Sequence, residues 1–287
     1  MEARDSSPGT TGLRWISSGA RGYALSGRVL YAIGMIGFGA VCLVYVDFVN
    51  SLQPVPASVP GYVVLAVLTG VVLGAAGLAI MVDVKTRLSG ITLVFLFALW
   101  IALLHIPSAF TDPSLLLSPW WIRTFETLAL AGAALILAGV AADPIRERWV
   151  SAGRLAFGVS LPVFGILHFI YPESVAALVE LSPAGYPWPL FWAYLTGLGH
   201  FAAGLAIATG ILSRLAAVLA GFMYASWALT LHLPRIIDNP PGYAGDRQEL
   251  TSLVVCVAFW GAAWIVAGVS SGRRGARSAG GIVESAS

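Results

Sequence analysis

Apolar residues run along this chain in long blocks rather than in alternation, and eight blocks are long enough to cross a bilayer as helices. They lie near 28–49, 61–82, 88–107, 120–142, 154–171, 188–210, 214–233 and 250–270. A spanning helix needs about 20 mostly apolar residues, because the hydrocarbon core is about 30 Å thick. Short segments carrying Pro, Asp and Arg separate the blocks, which is the chemistry of turns. An outer-membrane barrel would show roughly 10-residue alternating segments instead. The pattern therefore predicts an all-α, polytopic membrane bundle of eight transmembrane helices.

Composition agrees and removes other classes. Of 287 residues 58% are hydrophobic and 10% charged, against about 25% charged in a soluble domain. Gly and Pro are scattered among Leu, Val, Phe and Trp, unlike disordered or collagenous chains. The sixteen basic residues leave a net charge of +2, too dispersed for a nucleic-acid footprint. Cys42 and Cys256 sit singly in apolar runs, so cysteine builds neither a disulfide framework nor a zinc site. No small-residue cleavage site follows the first apolar run, and the first span is expected to stay in the mature chain.

Arg and Lys set the orientation. Arg4, Arg14, Arg21, Arg28, Lys85, Arg87, Arg146, Arg148, Arg154, Arg214, Arg273, Arg274 and Arg277 fall on the side of the N-terminus, and only Arg123, Arg235 and Arg247 on the other. Thirteen against three places both termini in the cytoplasm.

At an offset of 127, residues 68–107 align with 195–234 without a gap, and 17 of 40 positions are identical. Identity by chance would be roughly one in ten in such a composition. At an offset of 126 the first and fifth spans correspond as well, through Gly27-Arg28 with Gly153-Arg154 and Phe38-Gly39 with Phe164-Gly165. The expectation is two parallel four-helix repeats, 27–149 and 150–270, between cytoplasmic tails 1–26 and 271–287. An even number of spans per copy sets the symmetry axis along the membrane normal, which argues against inverted-repeat transporters. The repeated small residues, such as Gly70 with Gly197 and Gly77 with Gly204, have a packing explanation, since they let helix backbones approach closely in lipid.

Duplication also supplies an internal control. Cys42 corresponds to His168, Leu73 to His200, Val67 to Tyr194, Leu103 to Thr230 and Ser108 to Arg235, so polarity has accumulated in the second copy. Ionisable groups inside a membrane are costly and are kept mainly where they have partners or a use. His105, His168 and His232 lie near the outer ends of their spans, His200 near the middle, and Glu126 about 9 Å below the outer end of the fourth span by helix rise. Tyr194, Gly197, His200 and Gly204 recur at three- and four-residue steps, which reads as one face. Arg123 and Glu126 are spaced to pair. With Arg235, Arg247 and Glu249, these residues are expected to line one polar cleft opening on the outer side. The competing reading makes them interfacial or mutually paired structural groups, above all His105 near water and Arg123 with Glu126 as an ion pair.

Two redox chemistries can be weighed on the same residues. Imidazoles at one depth can ligate haem, but nothing in the sequence makes His105, His168 and His232 face one another, and b-type haem has no short motif. A dithiol of Cys42 and Cys256 is disfavoured, because buried thiols in apolar helices are inert.

The runs FGILHFIYP (164–172), LFWAYLTGLGHFAAGLAI (190–207), SRLAAV (213–218), LHLPR (231–235) and DRQELTSL (246–253), with WIRTFETLALAGAALILAG (121–139) in the first half, resemble DoxX-like membrane proteins. The likeness covers nearly all of the chain outside its tails. It implies a bacterial cytoplasmic (inner) membrane protein and, through the thiosulfate:quinone and quinol-oxidase subunit behind the family name, a redox-linked role. It carries over no catalytic residue. The expected ligand is therefore a quinone or similar small amphipathic molecule bound near His168, Tyr194, His200 and His232, in support of a redox protein partner within the lipid bilayer. A small-solute transporter is the alternative, though the inner halves of the spans show little polarity beyond Thr92 and Thr209. A structural subunit of a membrane complex is the other.

Overall fold

The computed structural model describes residues 18–50, 52–112, 114, 120–180, 182, 184–238 and 246–270. Among them eight helices are long and apolar enough to cross a membrane. The first two are α1 (Ser18–Tyr45) and α2 (Tyr62–Met81). The third span begins as α3 (Thr86–Trp100), widens into a π-helical turn at Ile101–His105 and ends as α4 (Ile106–Thr111). Then come α5 (Trp120–Val140), α6 (Glu147–Ile170), the short α7 (Pro172–Glu180) and α8 (Pro189–Thr209). The seventh span repeats the third: α9 (Ser213–Trp227), a π-turn at Ala228–His232 and α10 (Leu233–Asp238); α11 (Asp246–Val269) closes the chain.

Both π-turns precede a proline, Pro107 or Pro234. A proline inside a helix offers no N–H and crowds the carbonyl four residues back. That carbonyl lies inside the widened turn, which runs on i to i+5 bonding: the Ile106 N–H reaches the Ile101 carbonyl and the Leu233 N–H reaches Ala228. The proline is accommodated without breaking the span.

The spans pack in the order α1, α2, α3, α5 and then α6, α8, α9, α11, with α5 against α6, α11 back against α1, and α5 touching α11 across the middle. Lipid gives no hydrophobic force between helices, so close van der Waals approach must hold them. Glycines permit it. A Cβ on Gly261 would come 2.2 Å from the Tyr31 backbone nitrogen, and one on Gly153 would come 2.3 Å from the Gly132 carbonyl. Gly268 lies against Ala24 and Gly27 against Ile265, so α1 and α11 run antiparallel and both described ends of the chain lie at the same end of the bundle.

The spans differ from the sequence-based boundaries in two ways. α1 begins well before 28, because Arg21 and Gly22 continue the helix beyond its apolar block. The third and seventh spans extend to Thr111 and Asp238 through the proline-bearing turns. The tails 1–17 and 271–287 lie outside the described residues.

Candidate functional site

The crossing of α6 and α8 builds the first group. A Cβ on Gly165 would sit 2.6 Å from the Gly197 carbonyl, so the two backbones nearly touch. Beside this crossing the His168 side chain lies over Gly197, where an added Cβ would stand 2.9 Å from the His168 Cβ. The first half makes the same contact with a smaller residue, Gly70 against the Cys42 Cβ at 2.9 Å.

Two imidazoles then meet. The His168 and His200 ring centroids are 5.0 Å apart, Trp227 stacks on His168 at 6.3 Å and 15°, and the Phe164 edge meets His200 at 5.6 Å. His200 is 1% exposed and His168 half-buried. Each Nδ1 bonds a carbonyl one turn back, Phe164 at 2.7 Å and Thr196 at 3.0 Å. A carbonyl only accepts, so both Nδ1 atoms carry the proton, and in the neutral rings both Nε2 atoms are acceptors. The Tyr224 hydroxyl, 3.1 Å away, therefore donates to His200 Nε2. His168 Nε2 has no such donor among the described residues.

Tyr224 escaped the sequence reading, although the offset of 127 held the signal: it stands where the first half has Phe97, just as His200 stands at Leu73.

A second group closes the end of α9 to α11 away from the described chain ends. Glu249 accepts from His232 Nδ1 at 2.9 Å with one oxygen and from Arg235 Nη1 at 2.9 Å with the other. Arg235, 5% exposed, also donates to the Leu178 carbonyl at 2.8 Å, and Ser182 donates to the Thr230 carbonyl at 2.8 Å. These bonds anchor α7 and the segment after it over the site.

Arg247 belongs elsewhere. It pairs with Asp47 at 2.6 Å, donates to the Phe48 carbonyl and lies over the Tyr45 ring at 5.1 Å, while Tyr62 donates to Asp47. Burial alone would raise the Asp47 carboxyl, but the bonds from Tyr62 and Arg247 and the guanidinium charge outweigh it, and its pKa falls below the ordinary aspartate value.

In the first half, His105 lies 3.1 Å from the Thr127 hydroxyl through Nε2. Thr127 spends its proton on the Arg123 carbonyl, 2.9 Å away, so His105 is the donor. Glu126 projects one oxygen into the bundle, buried and without a hydrogen-bond partner, under the charge of Arg123. Glu126 is thus a carboxylate that α5 turns into the bundle.

Two features bear on the expectation of one shared cleft. Arg247 bonds to Asp47, apart from the bonded group of His232, Arg235 and Glu249 and from the ring contact of His168 with His200, while Arg123 and Glu126 lie on α5 near Thr127. Tyr194 does not share the face of His200, because six residues turn a helix by about 600°, roughly 120° away from the starting face. Tyr194 is 46% exposed on the bundle surface and stacks on Phe169 at 6.2 Å. No group of three metal-ligating side chains comes together among the described residues.

A bundle of this kind, with its imidazoles and carboxylates concentrated between the later spans, is a polytopic α-helical membrane protein. Residues 149–233, which hold His168, His200, Tyr224 and His232, match the family model described as DoxX, so this segment of the chain is similar to that family. None of the curated proteins and none of the solved structures compared with the chain matches it.

Proposed function

We propose that the protein is a two-copy bundle of the bacterial inner membrane, with cytoplasmic termini, that binds a small amphipathic molecule of the quinol and quinone class at His168, in support of a redox partner. The observation that carries this reading is the His168 Nε2: a bare acceptor on a half-buried ring, stacked on Trp227 and next to an imidazole whose own acceptor is taken by Tyr224. A ligand hydroxyl can donate to it, and a protonated His168 can donate to a ligand carbonyl. The two-copy arrangement draws support from the 17 matched positions and from the paired π-turns. The orientation rests on the thirteen-to-three division of basic residues.

The test is quenching of tryptophan fluorescence by decylubiquinone in detergent-purified protein. His168→Cys imports the first-half residue, which already packs against a glycine there, and should weaken binding by about tenfold. Tyr194→Phe should leave it unchanged. Equal affinity in wild type and His168→Cys overturns the proposal.

A second reading, a structural subunit of a membrane complex, is favoured by the mutual satisfaction of His232, Arg235 and Glu249 and of Arg247 with Asp47. It expects no decylubiquinone binding by wild type and co-purification of other membrane proteins from native membranes.

A further inference from the structure

At the end of the bundle where the described ends of the chain lie, a cavity of about 330 Å³ opens between α6, α8, α9 and α11, lined by Val150, Ser151, Arg154, Thr209, Gly210, Ser213, Val269 and Ser270. No carboxylate lines it among the described residues. Arg154 uses one N–H on the Ile207 carbonyl at 2.6 Å, and neighbouring Arg214 forks onto the Ser270 carbonyl at 3.0 and 2.6 Å.

The first half shows what belongs there. Through the offsets of 126 and 127, Arg154 corresponds to Arg28, Gly210 to Asp83 and Ser213 to Thr86. In the first half the Asp83 carboxylate fills this place: one oxygen pairs with Arg28 at 2.5 Å and the other accepts from the Thr86 hydroxyl at 2.8 Å. The turns match in backbone as well. Asp83 and Lys85 have φ of 57° and 52°, and Gly210 and Leu212 have φ of 79° and 53°. In the second half the guanidinium and hydroxyl positions persist and the carboxylate is missing. A Cβ on Gly210 would lie 3.4 Å from Arg154 Nη1, so a side chain there would point at the guanidinium.

We propose that this cavity binds a phosphate-bearing anion, carried by an acidic phospholipid or free in solution, which completes around Arg154 the ion pair that Asp83 completes around Arg28. Arginine suits phosphate because its planar fork presents several donors at once. The start of α9 at Ser213 adds the positive end of a helix dipole. At about 30 Å³ per water the cavity has room for roughly ten waters, enough for a phosphate and part of a glycerol. Leu155, Ile211 and Leu212 are exposed on these same elements and offer an acyl chain an apolar surface. The inference uses the correspondence of the two halves but not the reading of His168.

The experiment is native mass spectrometry of the full chain released from equimolar micelles of phosphatidylglycerol and phosphatidylcholine, repeated with inorganic phosphate added. Wild type should retain phosphatidylglycerol preferentially, and Gly210→Asp and Arg154→Gln should each lower that preference by about tenfold. Gly210→Asp keeps the fold testable, because aspartate already occupies the matching left-handed position at Asp83. The reverse change, Asp83→Gly, should create a second site and raise the number of retained phosphatidylglycerol molecules. Displacement of the lipid by inorganic phosphate, or phosphate adducts without a lipid preference that both variants lose, assigns the site to free phosphate. Retention that resists phosphate assigns it to the headgroup. The same lipid and phosphate retention in wild type, Gly210→Asp and Arg154→Gln overturns the proposal.

Discussion

Replacing Glu249 by Ala removes the acceptor shared by His232 and Arg235 and leaves inside the bundle a guanidinium that still donates to the Leu178 carbonyl. Two magnitudes compete in setting the cost. Interhelical hydrogen bonds between neutral groups in membrane proteins average about 0.6 kcal/mol, so two would amount to roughly 1 kcal/mol. Breaking a buried ion pair by deleting one partner costs about 3–5 kcal/mol, because a desolvated charge is left behind. The Arg235 side chain is 6% exposed and the Glu249 side chain 17%, so the second figure governs, taken near its lower end because Leu178 still accepts: about 3 kcal/mol. Reversible unfolding in mixed micelles, followed by circular dichroism, measures it. The double variant Arg235→Leu, Glu249→Leu should recover most of the loss, since a buried pair replaced by apolar residues is often neutral. A loss below about 1 kcal/mol for Glu249→Ala would refute the reasoning, because that is the behaviour of a solvated pair.

Because the Asp47 carboxyl is held below its ordinary value when folded, the stability it contributes is present at neutral pH and lost as pH falls below about 4 and through the folded value. The stability gap between wild type and Asp47→Asn should therefore be constant above about pH 5 and shrink in acid; a gap that widens in acid reverses the sign. Tyr224→Phe leaves the His200 Nε2 acceptor without its donor and should cost about 1 kcal/mol, while Tyr224→Phe with His200→Leu, the first-half pair, should cost less than the sum of the two single changes in a double-mutant cycle. Gly165→Ala would place a Cβ 2.6 Å from the Gly197 carbonyl, and forcing α6 from α8 should cost about 1–3 kcal/mol in the same unfolding assay.

The spans were legible because a block of about 20 apolar residues has few alternatives to crossing a bilayer. α7 was not, because nine residues with a polar start carry no spanning signal. The π-turns were hidden too: widening changes hydrogen bonding and not composition, and only the prolines at 107 and 234 hint at it. The polar positions His168 and His200 could be read by aligning the chain on itself at offsets of 126 and 127, and the same offset sets Tyr224 against Phe97. The partnership of Arg247 with Asp47 could not, since it joins residues 200 positions apart through the packing of α1 on α11. Tyr194 was misplaced by treating two successive three-residue steps as one face.

The widened turn at Ala228–His232 sets which way the last imidazole of the seventh span faces. Its extra residue delays everything downstream by about 100° relative to an uninterrupted α-helix, and His232 meets Glu249 from that rotated position. In-frame loss of a single codon between 228 and 231 that returns the turn to ordinary α-helical bonding removes the extra residue and its delay together, so His232 and Arg235 keep their direction toward the carboxylate while the proline loses the widened turn that accommodates it. At this locus a one-residue deletion should therefore do less harm than the same deletion elsewhere in the span, and the matching stretch at 101–105 should share that tolerance.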